Sequence, residues 1–400
     1  MKKLALSLCL IPFLASALEI KEIVNKTYEN NKQLQSLQMA IEISNENIKL
    51  SSKYQNPILT IGANDVYFDE PFTRDKEAMQ AQYIAISQNF ESSDKLLFKE
   101  EISKVSKEEK SYLLDEKKLI LKSNIYANSW KILTTQEKIE VLKKYEQNIE
   151  KLIELAYRYY EVGKSNQNDI LKLKIDLVNN NIKIKKLQNN VDNLFLDLQK
   201  ISYENIEKID DKTNLKGNID LKIDYETHPK MKILNTQIQK FNINSKLENE
   251  KKFSDFKVTA AYFNRDTKFK DYANISVSIP LAFNDRENIE VVKSKLNARA
   301  KKDELEDLKN EFKSQVKTIK NNLITSFENY EFIVKTIMPM KQDILKNIEN
   351  YSTFNNADLN TQIKSLNEIL DYELKAIEFK ENYFDNLAKS IYYTQGLNDD

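Results

Sequence analysis

Cysteine is almost missing from this chain. Cys9 is the only one in 400 residues, and it lies inside an apolar run at the amino terminus. With His228 the only histidine, no zinc cluster of Cys and His ligands can be assembled. No glycine-rich phosphate loop is present, and no nucleophile stands at a telling spacing from a base, so nothing points to an active site or a cofactor. Charge of one sign is lacking too: 61 basic and 61 acidic residues are spread along the chain, which argues against a nucleic-acid partner, since that needs a one-signed patch. Past the amino terminus no apolar run approaches the ~20 residues of a transmembrane helix. A mature chain that enters a membrane must therefore do so with strands. Four glycines and six prolines leave few breaks, so most of the chain should be long helix.

What is present begins with a secretory signal. Lys2 and Lys3 precede the apolar residues 4–14, which end in Ala15-Ser-Ala17, the pattern of a leader cleaved after about Ala17. Cys9 lies within the apolar run and not at the cleavage point, so a lipid anchor is not expected. The rest says the same thing twice. Laid over one another at an offset of 197, residues 29–50 and 226–247 share Glu29/Glu226, Leu37/Leu234, Ile41/Ile238 and Asn45/Asn242. Farther on, Tyr83 to Phe90 and Ser276 to Phe283 align at 193, and Tyr160 and Tyr351 at 191. A preserved order of element types marks a duplicated unit. The expected organisation is a signal peptide over 1–17 and a single domain over 18–400, made of repeats near 18–202 and 226–400 with a linker over 203–225.

Each repeat carries a helix, two short strands, a very long helix, a turn and a return helix. After Asp94 no Gly or Pro occurs before Tyr160, about 100 Å of helix at ~1.5 Å per residue. Leu142, Tyr145, Ile149, Leu152, Ala156 and Tyr159 are spaced 3, 4, 3, 4 and 3, a coiled-coil seam. Ile184, Leu187, Val191, Leu194, Leu198 and Ile201 repeat that rhythm on the return helix, which predicts antiparallel packing across a turn at 162–165 with Gly163 as left-handed cap. In the second repeat Asn284 or Asp285 should cap a helix whose apolar positions include Leu323, Tyr330, Val334 and Ile337. Pro339 should kink it, and the second turn is expected over 352–358, where Asn355 and Asn356 tolerate left-handed backbone. His228-Pro229 sits at a repeat boundary and reads as a helix start.

Strands are expected at 58–68, 79–90, 256–264 and 272–283, about the length of a tilted strand that crosses a bilayer. Ile84 and Ile86 alternate with Tyr83 and Ala85, and Ile275, Val277, Ile279 and Leu281 with Ser276 and Ser278. Four strands cannot enclose a useful lumen, and an open sheet leaves edges a bilayer cannot satisfy. Three copies would supply 12 strands and a water-filled interior, in a closed ring.

This order of elements resembles the TolC-like outer-membrane efflux family over roughly 18–396. The words that carry the resemblance are Tyr157-Arg-Tyr-Tyr-Glu-Val-Gly-Lys-Ser165 followed by Asn168-Asp-Ile-Leu171, then Ser278-Ile-Pro-Leu281, Met338-Pro339 and His228-Pro229. The resemblance implies a fold that is mainly α with a small β part, in which long antiparallel coiled-coil helices and four strands per chain build a homotrimeric α-barrel and 12-stranded β-barrel. It further implies a passive conduit in the cell outer membrane, in contact with lipid and reaching into the periplasm. An adaptor (membrane-fusion) protein docks at its tips and an inner-membrane pump feeds it, in efflux or type I secretion. Carried over residue by residue, Val162 and Gly163, flanked by Tyr160 and Ser165, match the adaptor-docking tip, and Asp169 matches an acidic position of the periplasmic constriction, to which Tyr351, Asn356 and Asn360 correspond in the second tip. The second tip departs from the family: Phe354 stands where Gly is usual, and Asn356, Asn360 and Ile363 replace a basic and two acidic gating residues. Asp169 is then expected to supply much of the negative potential of the constriction, to stabilise the first turn of its helix, or both. Two readings remain at this point, a transport channel and a periplasmic or secreted structural coiled coil without a pore. The solute, whether metal cation, drug, bile salt or polypeptide, stays open.

Overall fold

A computed structural model describes residues 18–217, 219–253, 255–355 and 359–396. The signal segment with Cys9, and Asn356 in the second turn, lie outside them. Two compact units are present: Met1–Gln35, Glu116–His228 and Asn310–Asp400 form one, and Ser36–Asp115 with Pro229–Lys309 forms the other. Each unit draws on both halves of the chain.

In chain order the elements are α1 (Ile20–Asn30), α2 (Lys32–Ser51), β1 (Ile58–Asn64), β2 (Ala81–Phe90), α3 (Ser93–Glu161), α4 (Gln167–Ser202), α5 (Pro229–Glu250), β3 (Phe256–Asn264), β4 (Tyr272–Ser278), α6 (Arg286–Phe332), α7 (Met338–Asn355) and α8 (Leu359–Thr394). A π-helical turn, Ile333–Ile337, joins α6 to α7. The 69 residues of α3 are a single helix, as the lack of Gly and Pro predicts. One expectation fails at its start: the first helix is two, parted at Asn31, whose extended backbone lets its Oδ1 accept from the amides of Gln33 and Leu34 and so begin α2.

The first unit is a helical bundle. Leu142, Ile149, Leu152 and Ala156 of α3 are buried, as are Ile184, Val191, Leu194 and Leu198 of α4, so the paired stripes meet as read. Helix α3 packs on α8 as well. Trp130 lies 4.9 Å from Phe384 between ring centroids, Ser123 Oγ donates to the Ala388 carbonyl at 2.8 Å, and the Lys380 ammonium reaches both carboxylate oxygens of Glu137 at 2.8 Å. Burial, with the carboxylates of Asp176 and Asp371 behind it, pushes the Tyr145 phenol up to about 12, which keeps its hydroxyl a donor to Asn367. Residues 203–225 are strapped onto these helices and not left slack: Ile206 and Ile209 are buried, Leu18 bridges to Ile209, Thr213 donates to Glu137 at 2.6 Å, and the Tyr383 hydroxyl bonds both the amide and the carbonyl of Lys216. His228 is buried edge-on to Phe312, with Nε2 at 2.9 Å from the Tyr392 carbonyl. That setting, directly before α5 begins at Pro229, is the helix-start role expected of it.

Two expectations about the second arm need correction. The seam does not run through Val334, which is exposed: Ile333 and Met338 are the buried residues, five apart, with Ile337 half-buried against them, because the π turn bonds the Met338 amide to the Ile333 carbonyl and shifts the phase. The turn is also shorter than 352–358, since α7 continues through Asn355 and places Tyr351 and Phe354 in helical backbone. With no Gly or Pro to stop it, the helix runs on.

The second unit holds a four-stranded antiparallel sheet in the order β1-β2-β3-β4. Three strands are shorter than read, β2 by two residues at its start. Asp65, with φ of 52°, turns the chain left-handed and ends β1, and Pro280, with no N–H to give the ladder, stands just past the end of β4. Beside the sheet, Lys95 in the first turn of α3 is almost wholly buried, its ammonium 2.7 Å from the Phe253 carbonyl and 2.8 Å from Asp255. Gln237 of α5 donates to Glu109 of α3 at 2.7 Å.

Candidate functional site: a sheet wall and a helical tip

Register decides what the sheet can do. Leu59, Ile86, Ala260 and Ile275 face one another across the four strands, and so do Ile61, Ile84, Tyr262 and Ala273. These rows share one face, since side chains alternate along a strand. Its large side chains are bare: exposure runs from 47% at Ile84 to 80% at Ile275. An aromatic pair closes this face at one end, Phe90 stacked on Phe256 at 5.1 Å with Tyr54 edge-on to Phe90, and Tyr262 stands at the other. From Phe256 to Tyr262 is about 20 Å of strand at ~3.3 Å per residue, close to the ~25 Å apolar band, flanked by aromatic girdles, of outer-membrane barrels. The opposite face is mostly polar and small in its rows Ile58-Ser87-Thr259-Ser276 and Thr60-Ala85-Ala261-Asn274, with Ile58 the one large apolar side chain among them. Beyond the strands, Asp271 accepts from the Arg265 amide at 2.7 Å, the Tyr262 hydroxyl at 2.5 Å and Asn264 at 3.1 Å, while Arg265 Nη1 donates to the Ala78 carbonyl at 2.8 Å. The two loops that follow β1 and β3 are thereby tied together.

The first tip, in the helical unit, is closed by a Schellman arrangement: the Lys164 amide donates to the Tyr159 carbonyl at 2.7 Å, the Gly163 amide to Tyr160 at 3.0 Å, and Gly163 has φ of +72°. Tyr160 and Val162 are left exposed, Ser165 half-buried. Asn166 caps α4 by accepting from the Asp169 amide at 3.1 Å. Asp169 itself is only 6% exposed; Ser165 Oγ donates to it at 3.3 Å and Lys172 lies at 3.9 Å. Within its own chain this carboxylate is placed to stabilise the start of α4, a role compatible with a place in the constriction. Of the other constriction candidates, Asn360 is exposed in the first turn of α8 and Tyr351 lies in α7. The neighbour of Asn360, Leu359, is buried with Ile149, Ala156, Ile170 and Leu173, so the start of α8 packs against the base of the first tip. Pro339 lies two residues past the π turn.

Comparison with known proteins follows this geometry. The family model described as outer membrane efflux protein matches residues 23–202. Over those residues, a little under half of its length, the chain is similar to that family. Among solved structures, the Campylobacter jejuni CmeC outer membrane channel is similar with a TM-score of 0.76 and 12% identity, over 95% of this chain and 87% of that one. A membrane protein from Pseudomonas aeruginosa gives 0.79 and 10% over 96% and 91%, and the Vibrio cholerae outer membrane protein VceC 0.75 and 9% over 95% and 97%. At such identities these likenesses establish the fold. No curated protein sequence matches significantly. The family match and the shared fold support an outer-membrane efflux channel over a coiled coil without a pore. No described helix is long and apolar enough to cross a membrane.

Sequence reasoning missed two features. Asn180 occupies a seam position of α4 that the heptad count passed over because it is polar. The row Gly62-Tyr83-Phe263-Tyr272 could not be seen without the register, although Tyr83 alternating with Ile84 put it on the polar face.

Proposed function

We propose that the protein is the outer-membrane conduit of an export system in which three copies join their sheets edge to edge, β4 of one chain against β1 of the next, as a 12-stranded barrel. Solutes then arrive through a helical tunnel in the periplasm, fed by an inner-membrane pump through an adaptor protein that docks on the tip residues Tyr160, Val162, Gly163 and Ser165. The observation that carries this reading is the sheet: its outer strands are each paired on one side only, and its apolar face is bare between aromatic girdles. Unpaired edges are not tolerated in hydrocarbon, and closure into a ring removes them. The two repeats, with residues 203–225 between them, give each chain the four strands and the pairs of long helices that such a ring requires. Pro339 and the π turn are the proposed bend of the second arm. Asp169, Tyr351, Asn356 and Asn360 are the proposed surroundings of the constriction. The test is the mass of the protein extracted from outer membranes and its conductance in planar bilayers. A trimer with steady single-channel currents is expected; a monomer that passes no current refutes the proposal.

A further inference from the structure

On the polar face of the sheet, every aromatic side chain of the four strands falls in one row. Gly62, Tyr83, Phe263 and Tyr272 are register partners across β1 to β4. Phe263 and Tyr272 stack with centroids 4.7 Å apart and planes 7° from parallel, and Tyr83 follows Phe263 at 5.2 Å, tilted by 31°. These spacings match the ~4.8 Å between strands, so the rings are stacked along the row. At one end Tyr83 lies down over the glycine: a Cβ on Gly62 would stand 2.6 Å from its Cζ and hydroxyl oxygen. At the other end the Arg265 guanidinium sits 5.1 Å from the centroid of Tyr272, held there by its bonds to the Lys270 and Ala78 carbonyls.

We propose that this row is a solute-contacting collar in the bore, a transient site for planar aromatic anions. The proposal rests on the barrel reading above, which turns this face to the lumen: three rings per chain then make nine around the bore. Stacking of Phe263 on Tyr272 directs those ring faces at one another and leaves their edges for the solute, while Tyr83 leans over Gly62. Aromatic edges carry positive potential and attract the π face of a flat solute edge-to-face, and Arg265 adds a cation beside the row that favours a carboxylate. The adjacent row on the same face, Thr60-Ala85-Ala261-Asn274, has no comparable group. Gly62 sets the width of the collar, because only a residue without Cβ lets the Tyr83 ring lie flat on the sheet.

The experiment is single-channel recording of the full-length protein with 1-naphthoate as probe and cyclohexanecarboxylate, of equal charge and no π face, as control. Wild-type currents should be interrupted several-fold more often by 1-naphthoate. Tyr83→Ala and Tyr272→Ala should raise the open-channel current and abolish the preference. Gly62→Ala should lift the Tyr83 ring into the bore and lower the current, and Tyr83→Ala added to it should restore that current. Because the atoms that must yield are the far end of a side chain, Gly62→Ala should leave the assembled oligomer intact, which its mass confirms. Equal block by the two acids, or a Gly62→Ala current equal to wild type, overturns the collar while leaving the channel standing. A wild-type protein that does not conduct overturns the channel reading and the collar with it.

Discussion

Asn180 offers a test of how the first helical arm is held. It is 3% exposed in the α3–α4 seam, where its Nδ2 donates to the Leu142 carbonyl at 2.9 Å and its Oδ1 has no partner among the described residues. Leucine reproduces the branched outline of asparagine atom for atom. Asn180→Leu gives up one hydrogen bond, about 1 kcal/mol, and relieves an unpaired buried acceptor that costs roughly 1–3 kcal/mol. It also adds apolar burial, of the order of 1.5–3 kcal/mol when complete. After allowance for imperfect packing of the new methyl groups, a net stabilisation of about 2 kcal/mol is expected. Hydrogen exchange read by mass spectrometry measures it locally: amides of α3 near Leu142 and of α4 near Asn180 should exchange about 30-fold more slowly, at 1.4 kcal/mol per factor of ten. Unchanged or faster exchange in Asn180→Leu would refute the reasoning, since it would mean that Oδ1 is satisfied or that the seam cannot take the side chain. The gain should come with looser pairing specificity, because a lone polar seam residue fixes register at a cost in stability.

Ile275→Lys places a charge on the bare face of β4 and should cost about 2–4 kcal/mol per chain in a bilayer, so that oligomer recovered from outer membranes falls sharply, whereas Thr259→Lys on the opposite face should insert normally. Equal recovery of the two variants would show that the faces are assigned the wrong way round. Burial raises the Glu373 carboxyl above its ordinary value of 4.5 against the pull of Lys144. A raised folded pKa means that this stability is present below the unfolded value and lost as pH rises through the folded one, so Glu373→Gln should melt higher than wild type near pH 7 and equally at about pH 4. Pro339→Ala should stabilise by well under the ~3 kcal/mol of a proline in a regular helix interior, because the π turn has already re-routed the backbone bonds just ahead of it; a melting shift equivalent to the full amount would show that the turn relieves nothing.

Much of the helical part was legible because its causes are local. The single long α3 follows from the absence of breakers, the α3–α4 seam from 3-4 spacing, and the Schellman tip from Gly163. Where the reading erred, an event outside the local pattern had intervened. The heptad count runs on through Val334 because it assumes an unbroken 3.5-residue period, and a π turn moves the next buried residue to Met338. The second turn was drawn too long because Asn355 tolerates left-handed backbone without requiring it, and helix is the default when neither Gly nor Pro follows. Residues 203–225 read as a linker for want of periodicity, yet Ile206, Ile209 and Thr213 bind them to helices far away in sequence. Alternation alone separated Tyr83 from Ile84; only pairing shows that Tyr83 meets Gly62 and Phe263.

The two helical arms share an order of elements and differ in how their backbones are closed. In the first, α3 runs without interruption to a tip where the Lys164 and Gly163 amides satisfy the last carbonyls and Asn166 begins the return helix, so no ladder bond is irregular before the turn. In the second, the ladder changes pitch at Ile333–Ile337 and loses a donor at Pro339 two residues later. A helix bends most easily where its hydrogen bonds are already displaced, because bending there breaks no regular bond. The packing of Ile333 and Met338 on Ala376 of α8 fixes one side of that point, and beyond it the Lys341–Glu368 pair is a tie across to α8 that solvent reaches and screens. The two arms thus follow one plan, and the π turn with its proline makes the second the softer one.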